Sequence, residues 1–120
     1  MKRNWETIRQ LLVKVEECTL PADTVRLGDF PDERAAEISY HMALLMEAGL
    51  VEGSMVQTIG PEVKDFIATR LSWAGHELID SIRSDTVWER TKKRFRDAGI
   101  EMSIELVKEA AQAVAKGLLT

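Results

Sequence analysis

The chain has one cysteine, Cys18, so an intrachain disulfide is excluded and a reducing, cytoplasmic setting is expected. Cys18 ends an apolar stripe beside Glu16 and Glu17. Acids disfavour a reactive thiolate, so it reads as a structural thiol. There are two histidines, His41 and His76. Neither has a second histidine or a cysteine at ligand spacing, so no metal site is expected. His76 is followed by Glu77, but no nucleophile or substrate-orienting loop lies near them. No glycine-rich phosphate cradle is present. The expectation is therefore no catalytic residue, no cofactor and no enzyme. No apolar run approaches the length of a membrane span. The opening Met1-Lys-Arg-Asn-Trp-Glu leads straight into an amphipathic pattern containing acids, which is unlike a signal peptide.

Positive charge is also scarce where it would matter most. The net charge of −4 discourages indiscriminate binding to nucleic acid. Residues 33–52 hold one base, Arg34, against Glu33, Glu37, Glu47 and Glu52. The richest basic stretch comes late: residues 85–99 hold Arg90, Lys92, Lys93, Arg94 and Arg96 against three acids.

What is present is a patterned chain of 120 residues, enough for one domain with a modest core. Trp5, Ile8, Leu12 and Val15, with Leu11 beside them, place a helix over residues 4–18. Pro21 marks a loop, and Val25-Arg-Leu27 reads as a short strand. Asp29 or Asp32 is placed to cap the next helix, with Pro31 in its first turn. Ile38, Met42, Leu45 and Ala48 form the apolar face of that helix, and Gly49 follows as its left-handed terminator. Strands are expected at residues 50–57 and 66–71, with Ile67, Thr69 and Leu71 on one side of the second. Ser72 is placed to cap a helix over residues 73–83. Thr86-Val-Trp-Glu89 reads as a capping box opening a helix that Gly99 ends. Ser103 caps a last helix, to about residue 118.

Helix, turn, helix, strand, loop, strand, helix is the order of a winged helix-turn-helix, a fold that often reads double-stranded DNA. The expected class is therefore α+β and mostly helical: a winged helix with a small antiparallel wing over residues 1–84, and a C-terminal helical extension over residues 85–120. The stretch between Pro31 and Ile38 leaves room for only about one and a half turns of the usual second helix. That element is short or fused to the third.

Within this scheme Ser39, Tyr40 and Ala43 lie on the outward side of the reading helix, where hydroxyls donate to phosphates or base edges. His41 lies beside the apolar stripe and reads either as packing or as a phosphate contact. Lys64 is the one base of the wing connector. Arg90, Lys93 and Arg94 are the best phosphate contacts elsewhere, or else a solvated helix face. Trp5, Trp73 and Trp88 each start a helix and read as core anchors. In the last helix Ile104, Val107, Ala111, Val114 and Leu118 make a heptad seam, flanked by Leu106, Ala110 and Ala113. The flank either packs on the chain's own core or forms the seam of a homodimer.

The chain as a whole resembles a family of small bacterial and prophage proteins catalogued as a domain of unknown function. The resemblance rests on Met1-Lys-Arg-Asn with Ile8 and Leu11, on Glu37-Ile-Ser-Tyr-His41, and on Leu45 with Glu47-Ala-Gly-Leu50. It rests further on Thr69-Arg-Leu-Ser-Trp-Ala-Gly-His-Glu77 and Asp85-Thr-Val-Trp88. It implies an N-terminal winged helix with added C-terminal helices, and no activity. Two functions stay open at this point: a DNA-binding transcriptional regulator, or a protein-interaction module of the same fold without DNA.

Overall fold

The computed structural model describes residues 1–56 and 63–120. The class is α+β and mostly helical, with five α-helices and a two-stranded antiparallel sheet among the described residues. None of the described helices is long and apolar enough to cross a membrane. The chain divides into two compact units, residues 1–76 and 77–120. The division falls inside a helix.

Helix α1 (Trp5–Glu16) starts where the Asn4 side chain accepts from the N–H groups of Glu6 and Thr7, at 2.9 and 3.3 Å. This satisfies donors that the first turn leaves without a helical partner. Ile8, Leu11, Leu12 and Val15 are buried as their spacing requires. The short strand expected at residues 25–27 is a single bridge. Val25 exchanges backbone bonds with Ala68 at 2.9 and 3.0 Å, and the ladder stops there. The cause is side-chain competition: the Arg26 N–H goes to the Asp29 carboxylate, and the Leu27 N–H to Asp65.

Two 3-10 turns follow, Leu27–Asp29 and Asp32–Arg34, and the second runs directly into α2 (Ala35–Glu47). The short second element is thus fused to the next helix. Neither Asp29 nor Asp32 caps α2. The Arg34 N–H bonds the Pro31 carbonyl and the Ala35 N–H bonds Asp32, so the turn takes up donors a carboxylate would have capped. Ile38, Met42 and Leu45 are buried, whereas Ala48 is exposed at the C-cap. Gly49 has φ 74°, and the Leu50 N–H reaches back to Leu45 at 2.9 Å, closing the helix as expected.

Strands β1 (Val51–Met55) and β2 (Phe66–Leu71) pair antiparallel. Glu52 faces Arg70 but Gly53 faces Ala68, so Thr69 is an extra residue. Its hydroxyl donates to the Glu52 carbonyl at 3.1 Å. A bulge shifts side-chain parity by one. The side expected to hold Ile67, Thr69 and Leu71 is therefore split: Leu71 is buried with Phe66 and Ala68, and Thr69 is exposed. Of the connector expected at the tip, residues 58–65, residues 58–62 lie outside the described residues, as does the end of the first expected strand at Gln57.

Helix α3 (Trp73–Ile82) is capped by Ser72, whose hydroxyl accepts from the Gly75 N–H at 3.1 Å. The same serine donates from its hydroxyl to the Gly49 carbonyl and from its N–H to Leu50. The approach is so close that a Cβ on Gly75 would lie 2.1 Å from the Leu50 carbonyl oxygen. The inward side of α3 carries Leu78, Ile79 and Ile82. Trp73 is 81% exposed, because it lies two residues and about 200° of helix from Gly75. It is no core anchor. Trp88 is buried and Trp5 half-buried.

In the second unit, α4 (Asp85–Ala98) is capped by Ser84, which accepts from the Val87 N–H at 3.3 Å. The expected capping box at Thr86 is therefore displaced: the helix begins earlier and Glu89 lies inside it. Gly99, at φ 67°, terminates α4, and Ser103 caps α5 (Ile104–Leu119). Helix α4 packs on α5. Val87, Trp88, Thr91 and Phe95 from α4, and Val107, Ala111 and Val114 from α5, are buried. The one polar member, Thr91, donates its hydroxyl to the Val87 carbonyl at 2.7 Å, so its burial leaves no unsatisfied group.

Candidate nucleic-acid interface

On α2 the structure separates the four neighbouring candidates. Tyr40 is 37% exposed and Ala43 half-buried, so both remain on the presented face. Ser39 is buried, which corrects its expected outward position. Its hydroxyl donates to the Lys64 carbonyl at 2.7 Å and accepts from the Lys64 N–H at 3.1 Å. Ser39 therefore clamps the backbone of Lys64 to α2, while the Lys64 side chain stays exposed. A serine facing inward on a helix buries its hydroxyl at no net cost only if it finds such partners.

His41 is 1% exposed, so it packs in the interior. Its Nε2 accepts from the Asn4 N–H at 2.8 Å and its Nδ1 lies 2.7 Å from the Glu37 carbonyl. Only a proton on Nδ1 satisfies both bonds. The Tyr40 ring meets the His41 ring edge-on at 5.5 Å. Because Asn4 is tied to His41, Lys2 and Arg3 start beside α2, within about 8 Å of that bond for two residues of chain. These two bases were missed in the sequence. Their signal, the Met1-Lys-Arg-Asn opening, enters the charge balance of α2 only once the His41 bond is known.

Three acids around this face are engaged internally. Glu37 accepts two bonds of 3.2 Å from Arg34 and a third from the Thr7 hydroxyl. Arg34 also reaches Gln10 at 2.8 Å. Hydrogen bonding from Arg34 first, and from Thr7 second, holds the Glu37 carboxyl below its ordinary range. Asp65 pairs with Arg26 and accepts from the N–H groups of Leu27 and Phe66. The Arg26 bond is the main reason its pKa falls to about 2. Glu52 pairs with Arg70 across the strands. Glu33 and Glu47 are exposed, and residues 1–76 carry eight bases against twelve acids, a formal −4.

The other candidates lie in the second unit. Lys93 pairs with Asp97 at 2.6 Å. Lys92 pairs with Glu89 and sits 5.4 Å over the Trp88 ring. Arg90 and Arg94 are exposed and joined by ion pairs to no other described residue. On α5, Leu106 is 43% exposed, Ala110 half-buried and Ala113 exposed. The heptad seam is buried at Val107, Ala111 and Val114, but Leu118 is 44% exposed.

Among the described residues no group of three or more His, Cys, Asp or Glu could hold a metal ion. Burial, followed by the charge of Asp23, raises the pKa of the Cys18 thiol. The acid nearest His76 is Glu16, at 3.7 Å.

A protein of Haemophilus influenzae (strain Rd), described as an uncharacterized protein, is 34% identical over 119 residues, covering 99% of both chains. No solved structure matches the chain. Residues 2–101 match the family model described as hypothetical protein (DUF2513), which ends before α5, whereas the Haemophilus relative extends across it. On both counts the chain belongs to the DUF2513 family.

Proposed function

We propose that residues 1–76 form a winged helix that binds duplex DNA through α2, and that the protein is a transcriptional regulator of bacterial or prophage origin working in the cytoplasm. The observation that carries this reading is the Val25–Ala68 bridge. Val25, from between α1 and α2, bridges to β2, and this supports the reading because a winged helix has its third strand at that point of the chain. With α2 in the major groove, Tyr40 reads base edges, Ala43 allows close approach, and Lys64 and the Lys2–Arg3 opening meet phosphates. No catalysis is proposed.

One observation favours a second reading, a protein-interaction module without DNA. The formal −4 of residues 1–76 opposes the phosphate neutralisation that supplies much of DNA affinity.

Fluorescence anisotropy with a random duplex at about 50 mM salt decides between them. Binding should weaken with salt. Lys64→Ala should flatten the log–log salt slope by about 0.9 per lost phosphate contact on every sequence. Tyr40→Ala should change sequence preference instead. No binding at micromolar protein would remove the DNA reading and leave the interaction module.

A further inference from the structure

The second unit carries an apolar groove of about 360 Å³ between the end of α4 and the start of α5. Phe95, Ile100, Leu106 and Ala110 form its apolar lining, with Arg94 and Glu109 as its charges. Ile100 is 54% and Leu106 43% exposed. Leaving such side chains in water forfeits roughly 25 cal/mol for each Å² of apolar surface that a partner could cover.

We infer that this groove is a two-fold interface for a second copy of the same chain. The charges choose the occupant. Arg94 and Glu109 are opposite in sign, and neither is joined by an ion pair to another described residue. A two-fold contact brings the same patch to itself, so residue i meets residue j twice. Arg94 of each copy then faces Glu109 of the other, and both charges are matched. A partner of a single sign would leave one of the two charges uncompensated as the groove closed, which is costly. The flank supports close approach: Ala110 and Ala113 follow Leu106 at i+4 and i+7 on the same face of α5. This interface does not depend on whether residues 1–76 bind DNA, and its test contains no DNA.

Sedimentation velocity of the full chain from about 1 to 100 µM is the direct measurement, a range suited to mass-action dissociation of a dimer. The expected result is a rise from 13.5 kDa toward twice that mass. Leu106→Glu should abolish the rise while circular dichroism stays as in the parent, since Leu106 is already partly in water, and its melting should match that of the parent at dilutions where the parent is monomeric. Arg94→Glu and Glu109→Arg should each weaken the dimer about tenfold or more, as expected for like charges brought together. The double exchange should recover it. A merely structural role for either residue would not produce that recovery. A monomer at every concentration overturns the inference. So does a dimer untouched by Leu106→Glu, or a double exchange no better than the single ones.

Discussion

The two units spend their polar side chains differently. In residues 77–120 polar groups mostly cap helix ends, as Ser84 and Ser103 do, or satisfy themselves locally, as Thr91 does on its own helix. In residues 1–76 they reach across the chain. Ser39 holds Lys64, His41 holds Asn4, Asp65 holds residues 26 and 27, and Ser72 holds Gly49 and Leu50. A small sheet with one bridging residue has too few ladder bonds to fix its own loops, and side-chain bonds replace them. The expected consequence is that single polar or close-approach substitutions damage the first unit more than the second.

The largest effect should come from Gly75→Ala. The new methyl meets the Leu50 carbonyl, a backbone atom that cannot swing aside, so overpacking should cost about 3 kcal/mol. A urea melt within 1 kcal/mol of the parent would mean that α3 does not sit on Leu50. Next comes Ser39→Ala, which strands both backbone groups of Lys64 and should cost about 1–2 kcal/mol. Hydrogen exchange at the Lys64 amide should accelerate in that variant; unchanged protection would break the clamp.

Smaller still is a pH effect. The pKa of Asp65 falls from 3.8 to about 2 on folding. Its contribution is therefore complete above the unfolded value and is lost as pH falls through the folded one. Thermal melts between pH 5 and pH 2, run on the parent and on Asp65→Asn, should converge toward the acid end. Parallel curves would show that Asp65 contributes nothing. The pair is about one-third to one-half exposed, so solvent screening keeps the effect modest. The smallest effect, of opposite sign, is Gly117→Ala in α5. Nothing lies within 4 Å of the added carbon, and alanine should stabilise the helix by about 0.5 kcal/mol. A loss of stability there would mean that the face is covered.

The same contrast explains how much of the molecule was legible in the sequence. Periodicity and end signals located each α-helix and both strands among the described residues, because apolar spacing reflects burial directly: Ile8, Leu11 and Val15, or Val107, Ala111 and Val114. Glycine and serine at the ends of elements were legible at Gly49, Ser72, Gly99 and Ser103, where the capping bond is local. Part of what failed was non-local. The bulge at Thr69 interrupted the alternation of β2, and nothing in its own strand marks it. Ser39 read as outward because its partner, Lys64, lies 25 residues away; His41 was read as packing or a phosphate contact, and its partner Asn4, 37 residues away, was not visible. Trp73 was misplaced because a first-turn aromatic can fall on either side of a helix.

For DNA binding, the most direct measurement is two-dimensional NMR of the full chain titrated with duplex. Shift changes should concentrate at Tyr40, Ala43, Lys64 and residues 2–4, leaving buried Ile38 and Met42 nearly still, and should shrink as salt rises. Changes confined to residues 77–120, or no change at all at low salt, would contradict the assignment of α2 as the reading helix.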